Sequence, residues 1–171
     1  PDSDTTHIAD FINAGKPVIG FRNATHPFRY PADSPSKYAS WNFRSTKWPG
    51  GFGQQILGDT WVSHHGKFQK EATLARVNSQ HAAHPVLQGV APELFARTDV
   101  NGVNNLTAGD TVLYHGYVLP GLRRSDSTVT DGRNDSPMPW AWFHNYIAPA
   151  GEKGRSFCLT AGSSTDWLEE D

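Results

Sequence analysis

The stretch KPVIGFRNATH, residues 16–26, decides the expected fold, because an apolar run ends there abruptly in polar and small residues. Its apolar part, residues 18–21, is typical of a strand that is buried on both faces. An amphipathic helix is predicted just before it, over residues 3–15, from the helical spacing of Ile8 and Phe11. A helix that leads directly into a buried strand is the repeating unit of a parallel α/β sheet.

The end of this strand is the first candidate site. In open α/β sheets, ligands bind beyond the carboxyl ends of the strands, so Arg22 and His26 are predicted to face a binding site. The alternative is an arginine that only caps the sheet and a histidine in a connecting loop.

Further elements are predicted along the chain. Residues 52–58 suggest a short helix, and strands are expected at 61–65, 111–119 and 155–160. The loop of residues 22–51 is rich in aromatic side chains, and we assign Trp41 in it to substrate binding, because long loops of this kind are often functional. If residues 140–146 form a strand, Trp140, Trp142 and His144 share one face.

Composition limits the function classes. The 171 residues are 37% apolar and 19% charged, with a formal net charge of −2 and interspersed signs, so no field attracts nucleic acid or an anionic membrane. A small neutral or polar ligand fits better. No stretch approaches the roughly 20 apolar residues of a membrane span. One cysteine excludes an intrachain disulfide and leaves the compartment undetermined.

Residues 16–26 also resemble the nucleophile elbow of class I glutamine amidotransferases, Lys-Pro-Val-x-Gly-Ile-Cys-x-Gly-x-Gln. The alignment puts Arg22 at the catalytic cysteine, Ala24 at the following glycine and His26 at the glutamine. A guanidinium stays protonated and is no nucleophile, so the chain is predicted not to be a glutamine amidotransferase. Cys158 lies in an apolar strand pattern and is expected to be inert packing.

Five segments in order resemble the ThuA-like (trehalose-utilisation) family: FINAGKPVIGFRNATHPF, GGFGQQILGDTWVSHHGK, HPVLQGV, TDVNGV and GRSFCLTAGSSTD. The resemblance implies an α/β fold, a flavodoxin-like three-layer sandwich with a mainly parallel sheet, of the class I glutamine amidotransferase-like type. It implies a single domain over residues 1–171, incomplete at both ends, with a helix that starts near Asp166. It also implies a bacterial role in the catabolism of trehalose or 3-keto sugars.

His64 and His65 are the candidate catalytic bases, with Arg22 as the electrophilic partner in a reaction next to a ketone. Neighbouring strand residues point to opposite faces, so one of the two histidines is expected in a given cleft. His81 and His84 lie nearby in the sequence and raise a metal site as an alternative. There is no HExxH motif, and neither a metal nor a cofactor is assigned.

The predicted substrate-binding residues are His26, Asp99, Ser163, Asp166 and Trp41. Asp99 offers a carboxylate that orients an imidazole or binds a hydroxyl. The turn at residues 160–166 offers backbone amides to a ligand oxygen, with Asp166 alternatively only a helix cap. Amidotransferases carry His-x-Glu at this strand end, and many ThuA-like sequences carry Gly-His-Asp; this chain has neither.

Three functions remain open from the sequence: an enzyme of carbohydrate catabolism acting as a sugar isomerase, lyase or hydrolase; a non-catalytic sugar-binding or scaffolding domain; and a metal-dependent hydrolase. The expected partner is a small carbohydrate, with no nucleic acid and no membrane, and homo-oligomerisation is left open. The protein is expected to be soluble, in the cytoplasm or the periplasm.

Overall fold

The structure, a computed structural model, describes residues 2–163 and residue 166. The predicted C-terminal helix beyond Asp166 lies outside these residues. The chain falls into two compact units. Unit 1 consists of Pro1–Trp61, Asn104–Asp110 and Phe143–Cys158, and unit 2 consists of Val62–Val103, Thr111–Trp142 and Leu159–Asp171. The prediction of one domain stays a prediction.

The described residues form two α-helices and six strands. The helices are α1 (Asp2–Asn13) and α2 (Gly51–Leu57). The strands are β1 (Val18–Phe21), β2 (Thr73–Val77), β3 (Glu93–Ala96), β4 (Thr111–Val118), β5 (Met138–Ile147) and β6 (Lys153–Leu159). They are hydrogen-bonded in the order β1-β6-β5-β4-β2-β3.

Most of the pairing is antiparallel. Strand β2 runs antiparallel to β3, with Thr73 opposite Ala96, and antiparallel to β4, with Thr73 opposite Val118. Strands β5 and β6 form a hairpin, since Ala148 N donates to Glu152 O at 2.8 Å and Thr160 N donates to Trp140 O at 2.9 Å. Such a short connection has no room for the crossover helix that a parallel pair needs.

The fold class expected from the sequence is therefore wrong. The sheet is mixed and mostly antiparallel with few helices, and it is neither a flavodoxin-like sandwich nor a glutamine amidotransferase-like sheet. The helix and strand at residues 2–21 do form, but that single repeat does not continue. Strands β5 and β6 pair instead through a five-residue connection.

In unit 1, the face of α1 that is buried carries Thr5, Ala9 and Ile12, while Ile8 and Phe11 are exposed. Helix α2 lies close over β1: a Cβ atom at Gly20 would come within 2.7 Å of the Leu57 side chain. The hydroxyl of Tyr146 on β5 donates to the carbonyl of Lys16. These contacts fix the start and end of β1.

The aromatic loop of unit 1 is folded around Trp41, which is 5% exposed. We call the rings around it the aromatic cluster. Four rings lie with centroids 5.2 to 5.9 Å from that of Trp41: Phe28, Tyr38, Phe52 and Trp48. Aromatic packing of this kind holds a loop without regular structure in one conformation.

Unit 2 has its core under β2, where Ala72, Leu74 and Leu119 are buried and Phe95 packs against them. An ion pair between Glu71 and Arg133 lies beside this core, with two bonds of 2.7 and 3.0 Å. The bidentate geometry joins the start of β2 to the loop before β5.

Some of the predicted helices and strands are confirmed, and one is wrong. The helix at 52–58 and the strands at 111–119 and 155–160 are confirmed within one or two residues. The strand predicted at 61–65 is wrong, because only an isolated bridge between His64 and Asn101 forms there. Cys158 lies on β6 and is fully buried, as expected of a packing residue.

Within the described residues, no helix is both long enough and apolar enough to cross a membrane.

Candidate functional site

Three short backbone bonds fix the position of His64 in unit 2. Gly102 N donates to Ser63 O at 3.0 Å, and His65 N and Gly66 N both donate to Val100 O, at 2.8 and 3.0 Å. A Cβ atom on Gly66 would lie 3.2 Å from the Cβ of Asp99, so the glycine permits this close approach of the two segments. This isolated bridge positions His64, a role that the sequence predicted for a strand.

His64 and Asp99, both predicted from the sequence as site residues, lie together. Nδ1 of His64 is 2.6 Å from Oδ2 of Asp99. The Asp99 side chain is 1% exposed, whereas that of His64 is 36% exposed. Phe68 packs against the imidazole with ring centroids 5.3 Å apart. A buried carboxylate thus orients a histidine ring that solvent and ligands reach.

The carboxylate also selects the tautomer of the ring. An ionised carboxylate only accepts hydrogen bonds, so Nδ1 of His64 carries the proton in this pair. In the neutral imidazole, Nε2 then holds the lone pair. This is the arrangement in which a histidine takes up a proton at Nε2 and the carboxylate stabilises the resulting imidazolium.

Asn101 is a third residue beside the His64–Asp99 pair. It is directly opposite His64 in the antiparallel bridge, so the two side chains project to the same side. Asn101 is 3% exposed, and its Oδ1 has no hydrogen-bond partner among the described residues. A buried acceptor in that condition costs roughly 1–3 kcal/mol. Costs of this size are found where function, more than stability, fixes a residue.

Next to the pair is a cavity of about 350 Å³, within the size range of small-molecule sites. Gln69, on its wall, has a φ of 58°, a conformation uncommon outside glycine. The cavity contains two predicted residues, Asp99 and Ser163, and five that sequence reasoning missed. Its lining consists of Phe68, Gln69, Arg97, Thr98, Asp99, Leu122 and Ser163.

His65 has a structural environment. Its Nε2 donates to the carbonyl of Arg133 at 3.0 Å, and an Arg133 guanidinium nitrogen lies 3.4 Å from the carbonyl of His65. The same guanidinium binds the carboxylates of Glu71 and Asp131. This cation lowers the pKa of both carboxyls, and the two carboxylates raise the pKa of Arg133. Of the two candidate bases, His65 anchors the loop.

Asp166 is engaged by the chain around it. Its Oδ2 accepts from the Thr98 hydroxyl at 2.9 Å and from Ser163 N at 3.0 Å, and its Oδ1 accepts from Arg97 N at 3.1 Å. Gly162 N is a fourth donor, at 3.3 Å from Oδ2. All four donors precede Asp166 in the sequence, whereas a helix cap accepts from residues that follow it, so the capping alternative stays a prediction. Through these bonds Asp166 holds Ser163 and Arg97, two residues of the cavity wall.

The remaining predicted residues belong to unit 1. Arg22 is 9% exposed and has a φ of 45°, a strained conformation for a residue with a side chain. His26 packs against Trp61, with ring centroids 5.2 Å apart, and against Phe43 at 5.9 Å. The ring of Trp41 lies within the aromatic cluster, where its neighbours already cover it. Unit 1 therefore uses Trp41 for packing.

A second histidine–aspartate pair, not predicted from the sequence, lies in unit 1. Nδ1 of His144 on β5 is 2.6 Å from Oδ1 of Asp110, with side-chain exposures of 17% and 2%. The other oxygen of Asp110 accepts from Thr107 N at 2.6 Å. Trp140 and Trp142, which were expected to share a face with His144, are buried.

No group of three or more histidine, cysteine or acidic side chains suited to a metal ion occurs in the described part of the chain. The ring of His84, raised as a ligand by the sequence, accepts at Nδ1 from Val86 N at 3.3 Å and caps a short turn.

Comparison with models of known protein families, with curated proteins and with solved structures gives no match. The geometry of the residues therefore carries the functional argument.

Proposed function

We propose that the chain is an enzyme of carbohydrate catabolism, without amidotransferase activity, in which His64 is the general acid–base. The substrate class, trehalose or a 3-keto sugar, comes from the resemblance of five ordered segments to the ThuA-like family. The chemical role is supported by one observation: the buried carboxylate of Asp99 lies 2.6 Å from Nδ1 of a solvent-accessible His64.

In this proposal, Nε2 of His64 removes the proton from the carbon next to a sugar ketone. The electron pair of that C–H bond forms a C=C bond to the carbonyl carbon, and the π pair of the carbonyl moves to its oxygen, which gives an enediolate. The imidazolium, stabilised by Asp99, returns its proton to carbon in an isomerisation or to the departing oxygen in an elimination. General acid–base catalysis of this kind contributes about 10²- to 10⁴-fold to a rate.

The enediolate oxygen needs a cation or a hydrogen-bond donor. Arg97 lines the same cavity as Asp99 and is a cation of unit 2 that meets this need. Its backbone nitrogen donates to Asp166, which holds the backbone of Arg97 at the cavity wall. The role assigned to Arg22 from the sequence stays a separate prediction.

The experiment incubates the protein with glucosides and their 3-keto derivatives, with and without a chelator, and measures turnover by chromatography. His64→Gln is expected to lower turnover by about 10²- to 10⁴-fold. His81→Gln is the matched control, because His81 lies on a turn outside the cavity, and it is expected to leave turnover unchanged.

Each other result points to a different conclusion. Substrates that stay intact in every reaction contradict the enzyme and, if they bind, favour the sugar-binding alternative. Turnover that survives in His64→Gln contradicts the role of His64. Turnover that the chelator abolishes favours a metal-dependent hydrolase.

A further inference from the structure

A basic segment lies in unit 1, although the chain as a whole has a formal net charge of −2. Between residues 22 and 58 there are five lysine or arginine residues and one acidic residue, Asp33. Such local enrichment creates a positive potential that the net charge hides.

Three of these cations surround one cavity of about 610 Å³, which we call the basic pocket. Lys37, Arg44 and Lys47 line it, and no carboxylate is among its lining residues. None of the three forms an ion pair within the described part of the chain. The carboxylate of Asp2 accepts a hydrogen bond from the Ser36 hydroxyl of the pocket wall at 2.6 Å and brings one negative charge to it. Three cations beside one carboxylate leave the pocket with a net positive charge.

The wall of the pocket is held in place by local bonds. Nδ2 of Asn42 donates to Tyr30 O at 2.6 Å, and Oδ1 of Asn42 accepts from Arg44 N at 3.0 Å. Trp48 N donates to the Ser45 hydroxyl at 3.2 Å. Since Trp48 belongs to the aromatic cluster, this bond ties the pocket residue Ser45 to packed structure. The cations of the pocket are thus presented on a preorganised loop, which lowers the entropy cost of binding.

Two cations also have defined positions over aromatic rings. The guanidinium carbon of Arg44 lies 5.0 Å from the centre of the Phe43 ring, and Nζ of Lys37 lies 5.0 Å from the centre of the Tyr38 ring. The negative face of an aromatic ring attracts a cation, so these two side chains are held near their rings.

Hydroxyl groups complete the donor set. Ser40 and Thr46 line the pocket, and their hydroxyls make no hydrogen bond within the described residues. A guanidinium, two ammonium groups and two hydroxyls suit the oxygens of a tetrahedral oxyanion, because arginine binds such groups bidentately and lysine supplies a point charge.

We propose that the basic pocket binds a tetrahedral oxyanion, a phosphate or sulfate group carried by a small polar molecule. This site uses residues of unit 1 only and does not depend on the His64 chemistry proposed above. A pocket that takes a charged substituent adds a second class of ligand to a chain whose overall composition indicates neutral ones.

The test is titration calorimetry of the protein with glucose 6-phosphate, glucose 6-sulfate, inorganic phosphate and inorganic sulfate, with glucose and acetate as controls. At an ionic strength of about 0.01 M, where charges are weakly screened, one or both kinds of tetrahedral anion are expected to bind more tightly than acetate. Comparison of the phosphate and sulfate arms tells which group the pocket prefers, and comparison with the inorganic ions tells whether the sugar contributes.

Arg44→Gln is expected to raise the Kd by about tenfold, the loss of one charge-assisted contact. Lys70→Gln removes an exposed charge outside the pocket and is the matched control, with an unchanged Kd. Three outcomes overturn the proposal: no tetrahedral anion binds, acetate binds equally well, or Arg44→Gln and Lys70→Gln weaken binding to the same extent. Both side chains are exposed, so neither change threatens folding.

Discussion

The two histidine–aspartate pairs have hydrogen bonds of the same length but different surroundings. Both have an Nδ1 to carboxylate distance of 2.6 Å and a buried aspartate. In unit 1, Asp110 also binds the Thr107 turn, and a Cβ atom on Gly58 would lie 3.0 Å from the His144 ring, so the pair is packed as a structural clip. In unit 2, Asp99 lines a cavity and His64 is accessible. The surroundings of such a pair, more than the length of its hydrogen bond, decide its role.

The same substitution in both aspartates tests this difference most directly. Asp99→Asn is expected to lower turnover of the sugar substrate by about 10²- to 10⁴-fold, because the amide no longer fixes the tautomer or stabilises the imidazolium. Asp110→Asn is its matched control and is expected to leave turnover nearly unchanged. Equal losses in steady-state kinetics would contradict the assignment of catalysis to unit 2.

Stability should respond in the opposite order. Asp110→Ala removes the acceptor for His144 and for Thr107 N in a buried place, and is expected to cost about 3 kcal/mol of unfolding free energy. His64→Gln keeps an N–H donor for the buried Asp99 carboxylate at a side chain that is one third exposed, and is expected to cost under about 1 kcal/mol. Urea denaturation of both variants measures the difference. A larger loss for His64→Gln would reverse the comparison.

The ion pair that anchors His65 gives unit 2 a distinct acid response. Glu71→Gln is expected to cost about 2 kcal/mol at pH 7, because Arg133 loses a buried partner. The folded-state pKa of Glu71 is lowered by Arg133, so its stabilising effect is present above the unfolded-state pKa and is lost as pH falls through the folded-state pKa. Denaturation curves of the variant and the parent should therefore converge in acid; a constant difference would contradict this.

Unit 1 contains a carboxyl with the opposite shift, and the smallest effect is expected there. Oδ1 of Asp59 accepts from the backbone nitrogens of Asn104 and Asn105 and from the Asn105 amide, yet burial raises its pKa. Its contribution is fully present below the unfolded-state pKa and is lost as pH rises through the folded-state pKa.

Asp59→Asn keeps an acceptor for all three donors and avoids burying a charge. It is expected to stabilise the protein by about 1 kcal/mol at pH 7, with the gain vanishing in acid. Thermal unfolding at several pH values checks this, and Asp59→Ala, which removes the acceptor, should be destabilising at every pH. A destabilising Asp59→Asn would show that the charge itself is needed.

Local patterns predicted the elements well where a single segment contains the whole signal. Helix α1, strand β1 and helix α2 with its closing Gly58 followed from spacing and from glycine positions. The sheet class did not follow, because the direction of pairing depends on partners far apart in the sequence. The short connection between β5 and β6 was the available hairpin signal.

Only part of the candidate site could be predicted from the sequence. His64 and Asp99 were predicted from residue type, and the structure brings them together. The choice between His64 and His65 depends on Arg133, 68 residues further on, and no local pattern reports that contact. Arg97 and Phe68 carry no motif, since an arginine or a phenylalanine becomes a cavity wall only through its neighbours in space.

Chemical labelling of Cys158 can measure how often β6 opens. It is the one thiol of the sequence, and its side chain has no exposed surface. A thiol reagent therefore reacts only after the strand separates from its neighbours, and the labelling rate at low denaturant reports how often that opening occurs. Variants of the Asp110 clip in the same unit can then be ranked by opening frequency, without any substrate in hand.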